Sequence, residues 1–149
     1  MSLTEQINQD VKAAMKARDK ESLKTLRMLK AALQNEQLNH SDPLTADQEL
    51  TVINREMKQR RDSASEFAAA GRDDLVEEVR SEMEIVERYL PEQLSEEEIL
   101  QVIRETMAEV NATSMADFGQ LMGPVMAKLK GQADGQQVNQ LVKSVLQQS

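Results

Sequence analysis

Cysteine and tryptophan are both absent from this 149-residue chain, and aromatic residues make up only 2% of it. Without cysteine there are no disulfides, thiol nucleophiles, Cys-ligated zinc sites or iron–sulfur clusters, and nothing points to an oxidising compartment. The three aromatic residues, Phe67, Tyr89 and Phe118, lie on or near apolar stripes and are expected in the core. That leaves no platform on which single-stranded bases would stack. A single histidine, His40, has no second histidine or cysteine with which to share a metal, and is expected to be solvent-exposed. No window approaches the roughly 20 apolar residues that a membrane span requires, and the N-terminal stretch lacks the apolar run of a signal peptide. A cytoplasmic protein is expected.

What the chain does contain is aliphatic and charged. Hydrophobic residues make up 40% and charged residues 30%, with five Gly and three Pro to break the chain. That balance suits long helices with short connections better than a sheet, which favours β-branched and aromatic residues. The net charge of −8 is unevenly spread. Residues 1–61 carry 11 Lys/Arg against 9 Asp/Glu, residues 62–110 carry 4 against 15, and residues 111–149 carry 3 against 2. So acidic a middle argues against generic nucleic-acid affinity, DNA included, and confines any phosphate contact to local basic faces at the two ends.

The apolar spacing predicts a first helix from about Leu3 to Arg18, with Ile7, Val11 and Ala14 inward, and a second from about Lys20 to Leu38. The second buries Leu23, Leu26, Leu29 and Leu33, while Lys24, Arg27 and Lys30 form a basic stripe ~100° around it. After the polar loop Asn39–Pro43, Thr45 with Gln48 three residues on makes a capping box. The third helix then places Leu50, Ile53, Met57, Ala64 and Phe67 at heptad-like spacing, although Arg60 stands where that seam expects an apolar residue. Arg55, Lys58 and Arg61 line a neighbouring face, and Gly71 is a natural C-cap. A fourth helix begins at Asp73 with a core face of Leu75, Val79, Met83, Val86 and Leu90, and Pro91 stops it. Its other face holds Glu77, Glu78, Glu82, Glu84 and Glu87, which antiparallel packing would bring to Arg55, Lys58 and Arg61.

Pro91–Leu94 is the expected domain boundary. Ser95 and Glu98 form a second capping box, followed by a helix with Ile99, Val102, Ile103, Thr106 and Val110 inward. Ser114 caps a short helix with Met115, Phe118 and Met122, which Gly123–Pro124 is expected to break. A further short helix carries Val125 and Leu129 to Gly131, and Asp134 caps a last one burying Val138, Leu141, Val142 and Val145. The expected architecture is all-α, with an N-terminal helical hairpin or bundle at 1–92 and a small C-terminal helical domain at 93–149.

Catalytic chemistry has little to stand on. Gly131–Gly135 lacks the spacing of a P-loop, no second histidine supports a Ser–His relay, and the carboxylates fall at exposed helical spacings. No catalytic residue, metal or cofactor is expected.

Two stretches resemble a known family. KQRRDSASEFAAAGRDDLVEEVRSEMEIVERYLPEQLSEEEI (Lys58–Ile99) is similar to the middle of YqeY proteins, and MGPVMAKLKGQADGQQVNQLVKSVL (Met122–Leu146) to their C-terminal module. With LRMLKAALQNEQ (Leu26–Gln37), the resemblance covers nearly the whole chain. The C-terminal module is similar to the tail domain of the B subunit of the amidotransferases that convert Glu-tRNA(Gln) or Asp-tRNA(Asn) with glutamine as nitrogen donor. In those enzymes the tail is helical and contacts tRNA without performing chemistry. The resemblance implies that Lys128, Lys130, Gly131, Asp134, Gly135 and Lys143 lie at or near an RNA-facing surface. Gly131 and Gly135 leave the backbone bare near a helix start, where N–H groups and the dipole favour phosphate, while Asp134 opposes it.

Three functions follow. The first is a non-catalytic accessory protein that binds tRNA or another structured RNA, with Lys24, Arg27, Lys30, Arg55, Lys58 and Arg61 as a secondary basic face. The second is an acidic helical adaptor for a protein partner. The third is a part of a carbon–nitrogen ligase with glutamine as amido-N-donor, an activity inherited from the relative rather than carried by these residues.

Overall fold

A computed structural model describes residues 1–148. The described chain is helical throughout: α1 (Leu3–Ala17), α2 (Lys20–Gln37), α3 (Ala46–Ala69), α4 (Asp73–Glu87), α5 (Glu96–Val110), a 3₁₀ turn (Met115–Asp117), α6 (Phe118–Lys128) and α7 (Gly135–Gln147). No strand forms among the described residues, as the shortage of aromatic residues and of turns leads one to expect. The chain divides into two compact units, Met1–Leu90 and a second that begins at Pro91.

Helix starts follow the side-chain chemistry. Thr45 and Ser95 each accept a hydrogen bond from the backbone N–H three residues on, and Gln48 and Glu98 accept from the cap residues' own N–H. Asp134 caps α7 by accepting from Gln136 N–H at 3.3 Å. Gly71 closes α3 with φ +71°, its N–H donating to Ala68 O while Arg72 N–H reaches Phe67 O. Arg18 and Asn111 adopt the same left-handed conformation behind α1 and α5 without being glycine.

In the first unit α1 packs on α2, α3 lies along α4, and α2 touches both. Ile7, Leu29, Leu33, Ile53 and Val86 are fully buried in its core. The buried surface of α4 is wider than the expected stripe. Val76, Val79, Ile85 and Val86 are buried, as is Tyr89 just past the helix end, whereas Leu75, Met83 and the following Leu90 are half-buried. A helix packed against two neighbours needs more than one apolar row.

Polar groups join these helices. Glu49, one residue before the expected Leu50, is buried and accepts from the backbone N–H and hydroxyl of Thr4 at 2.8 and 2.6 Å. It thereby satisfies an orphan donor in the first turn of α1 from across the core. The Tyr89 hydroxyl donates to the carboxylate of Asp10 on α1. Burial first, and then that carboxylate's hydrogen bond and charge, raise the Tyr89 pKa above its ordinary 10.0. A raised folded-state pKa contributes stability that is present below pH 10.0 and lost as pH climbs beyond it. Urea unfolding should therefore show wild-type stability falling more steeply above that pH than in Tyr89→Phe; parallel curves would contradict the pairing.

The second unit packs α6 against α5 and α7, with α5 also meeting α7. Ile99, Ile103, Thr106, Leu121, Val125, Val138 and Val142 are fully buried along α5, α6 and α7. The expected break at Gly123–Pro124 does not occur, and α6 runs unbroken from Phe118 to Lys128. Leu121, Val125 and Leu129 lie four apart on the buried face, while Gly123 and Pro124 are exposed. The carbonyl of Gln120, which proline cannot bond, is carried by an exposed residue and can be hydrated, so burial on the other face keeps the helix whole. The segment 91–94 is tied to this unit, since Leu94 N–H donates to Gln132 O and Gln93 Nε2 to Gly131 O.

Candidate nucleic-acid interface

The six residues proposed for RNA contact occupy the second unit in two places. Lys128 ends α6, Lys130 and Gly131 form the turn that follows, and Asp134 and Gly135 open α7. Gly131 has φ +76°, which a side chain would strain, so turn geometry accounts for it. Gly135 has no such need, and an added Cβ would lie 3.7 Å from Met126 Cε, an ordinary contact. Lys143 stands apart: its Nζ lies 5.7 Å from the centre of the Phe118 ring. Phe118 begins α6 and Lys128 ends it, ten residues and roughly 15 Å further along the axis.

The basic groups are partly engaged. Lys128 Nζ pairs with Glu109 Oε2 of α5 at 2.7 Å. Both side chains are exposed, so the pair is worth at most about 1 kcal/mol and a phosphate can compete for the lysine. Gln136 N–H, a donor at the α7 start, is taken by the Asp134 carboxylate. A phosphate meets there a helix end with its own anion in place, and the lysines on either side must supply the attraction.

The residues of the secondary basic face differ in exposure and partners. Lys24 pairs with Glu78 at 3.5 Å, Arg27, Arg55 and Lys58 are exposed, and Lys30 and Arg61 are half-buried. Arg60, which is not among the three residues expected to lace α3 to α4, pairs with Glu82 of α4 at 3.8 Å. Arg60 is only 6% exposed, and its Nη1 also donates to Glu56 O at 3.0 Å. The seam position that seemed wrong for an arginine points inward all the same, taking its charge partners with it. Periodicity signals the position and Glu56 stands four residues earlier on the same helix, but Glu82 comes from α4 and leaves no local trace.

His40 is likewise not the exposed bystander expected. It is half-buried, with Nε2 3.7 Å from Glu36 Oε1 and Nδ1 3.4 Å from Gln48 Nε2. The Gln37 side chain closes this loop by donating to Asp42 O and accepting from Leu44 N–H.

The described residues define a two-unit, all-helical protein in which no helix is long and apolar enough to cross a membrane and basic residues surround the α6–α7 turn. Residues 4–146 match the family model of the Yqey-like proteins, and the chain belongs to that family. Among its relatives is the altered inheritance of mitochondria protein 41, mitochondrial, of Pyrenophora tritici-repentis, 29% identical over 141 residues, covering 92% of this chain and 77% of that protein. The protein of the same name from Eremothecium gossypii is 35% identical over 85 residues, covering 56% of this chain and 46% of its own. The E subunit of the glutamyl-tRNA(Gln) amidotransferase of Thermococcus sibiricus is 46% identical over 50 residues, 34% of this chain but 8% of that protein. Because the fungal relatives are named as mitochondrial proteins, the cytoplasmic expectation narrows to the statement that no described helix can cross a membrane.

Proposed function

We propose that this protein is a non-catalytic accessory module that binds tRNA or another structured RNA through the α6–α7 side of its second unit. The observation that supports it most is the local likeness to an amidotransferase component whose name carries its tRNA substrate, over a length close to that of the second unit. Lys128 and Lys130 flank the turn, and Lys143 extends the basic surface along α7 toward the start of α6. Recognition is of the phosphate backbone and of shape, since Phe118 and Tyr89 are committed to packing. The chain acts in an aqueous compartment, the cytoplasm or one of cytoplasmic descent, and any carbon–nitrogen ligase chemistry belongs to a partner.

Replacing Lys128 and Lys130 together by Gln tests this directly. The double variant should bind tRNA more weakly, with the slope of log K against log salt flattened by about 1.4–1.8. Its thermal midpoint should stay close to wild type, because the Lys128–Glu109 pair is exposed. Fluorescence anisotropy across a salt series reads both quantities. Equal affinity and parallel slopes would remove this surface and favour a protein partner on the acidic helices instead.

A further inference from the structure

The first unit contains a cleft of about 280 Å³ between α2, α3 and α4, and Arg60 lies in its wall. Its guanidinium is incompletely used. Nη1 donates to Glu56 O at 3.0 Å, whereas Nε is shut off from solvent and has no hydrogen-bond partner. Nη2 meets the thioether of Met28 at 3.7 Å and the Glu82 carboxylate at 3.8 Å, the latter beyond hydrogen-bond reach. Nε and Nη2 form the edge of a guanidinium that grips a carboxylate with two parallel hydrogen bonds. Here that edge holds one weak sulfur acceptor. Met28 is 43% exposed and unbranched, so it can swing away from the guanidinium without disturbing the core.

The rest of the cleft has the opposite charge. Glu56 and Glu82 are 15% and 17% exposed, so two carboxylates face one guanidinium and the site holds one negative charge in excess. A simple anion is disfavoured by that excess, and a simple cation leaves Nε without an acceptor. Phe67 and Val79 supply apolar wall. With a water's share of liquid volume about 30 Å³, the space corresponds to roughly nine non-hydrogen atoms.

We propose that this cleft binds a small zwitterion, an α-amino acid with a short apolar side chain. Its carboxylate displaces the Met28 thioether from the Nε–Nη2 edge of Arg60, its ammonium sits at Glu82 and Glu56, and its side chain lies against Phe67 and Val79. The site lies wholly in the first unit and goes beyond the RNA-binding role, on which it does not depend.

Amide chemical-shift titration of the full chain with L-leucine tests it, using butyrate and n-butylamine as probes carrying only one of the two charges. Leucine should give saturable shifts at α2, α3 and α4 residues around the cleft, and neither control should reproduce them. Met28→Ala, a change at an exposed position, should tighten leucine binding several-fold by uncovering the edge. Glu82→Gln should weaken it by about tenfold or more, a charge-assisted hydrogen bond having been lost. Absence of leucine shifts in both wild type and Met28→Ala would overturn the proposal, even if Glu82→Gln fails to fold. So would n-butylamine or butyrate binding as tightly as leucine, which would make the cleft a site for one charge only.

Discussion

Replacing Arg60 by Ala should destabilise the first unit by about 3–5 kcal/mol. The guanidinium is 7% exposed and is the cation recorded beside Glu56 and Glu82, which lie 3.5 and 3.8 Å away. Removing it leaves two mostly buried carboxylates facing each other and enlarges a cleft that already exists. The pair distances are long, so the lower end of the range is expected. At roughly 4–8 °C per kcal/mol for a unit of this size, that is a drop of about 12–24 °C. Removing the whole charge cluster should cost less than breaking it. Arg60→Met combined with Glu56→Leu and Glu82→Leu should therefore recover much of the loss, since well-packed apolar groups often replace a buried ion pair without penalty. Differential scanning calorimetry of the single and triple variants distinguishes the cases. A triple variant no more stable than Arg60→Ala would contradict the account in which the cost comes from leaving two buried carboxylates unpaired.

Ile103→Ala should have a comparable effect in the second unit. Ile103 is fully buried at the centre of α5, among Ile99, Leu121 and Val142. Truncating such a side chain costs about 2–5 kcal/mol. A domain of around 60 residues has only about 3–9 kcal/mol in hand, so most of its stability goes. If the two units are independent domains, as we propose, this change melts α5 to α7 first and leaves the transition of α1 to α4 where it was. Arg60→Ala should do the reverse. A single cooperative transition shifted by both variants would show that the units fold as one body.

The helix boundaries were legible because their signals are local. Thr45 with Gln48 and Ser95 with Glu98 announce two helix starts within four residues, and Gly71 announces an end through the one conformation it alone adopts freely. Where the outcome depended on a neighbour, local signals misled. Gly123–Pro124 reads as a break, yet the burial of Leu121 and Val125 holds α6 together. The stripe of α4 reads as one row, yet contacts with both α2 and α3 bury Val76 and Ile85 as well. Glu49 and Thr4 are 45 residues apart, and no pattern in either helix announces their hydrogen bonds.

The candidate interface shows the same limit. That Lys128, Lys130 and Asp134 surround one turn follows from their spacing alone. That Lys128 is already paired with Glu109, 19 residues earlier, does not. Nor does the placing of Lys143 over Phe118, which depends on how α7 crosses α6. Surface lysines take whatever carboxylate the packing brings, so the strength of such a site is a property of the assembled unit.

The most direct measurement is the affinity of the intact wild-type chain for tRNA across a salt series, with a single-stranded oligonucleotide of matched charge as competitor. RNA binding through the second unit predicts saturable binding at low salt, a linear fall of log K with log salt, and preference for the folded tRNA over the single strand. No binding at low salt, or equal binding of the two RNAs, would contradict it.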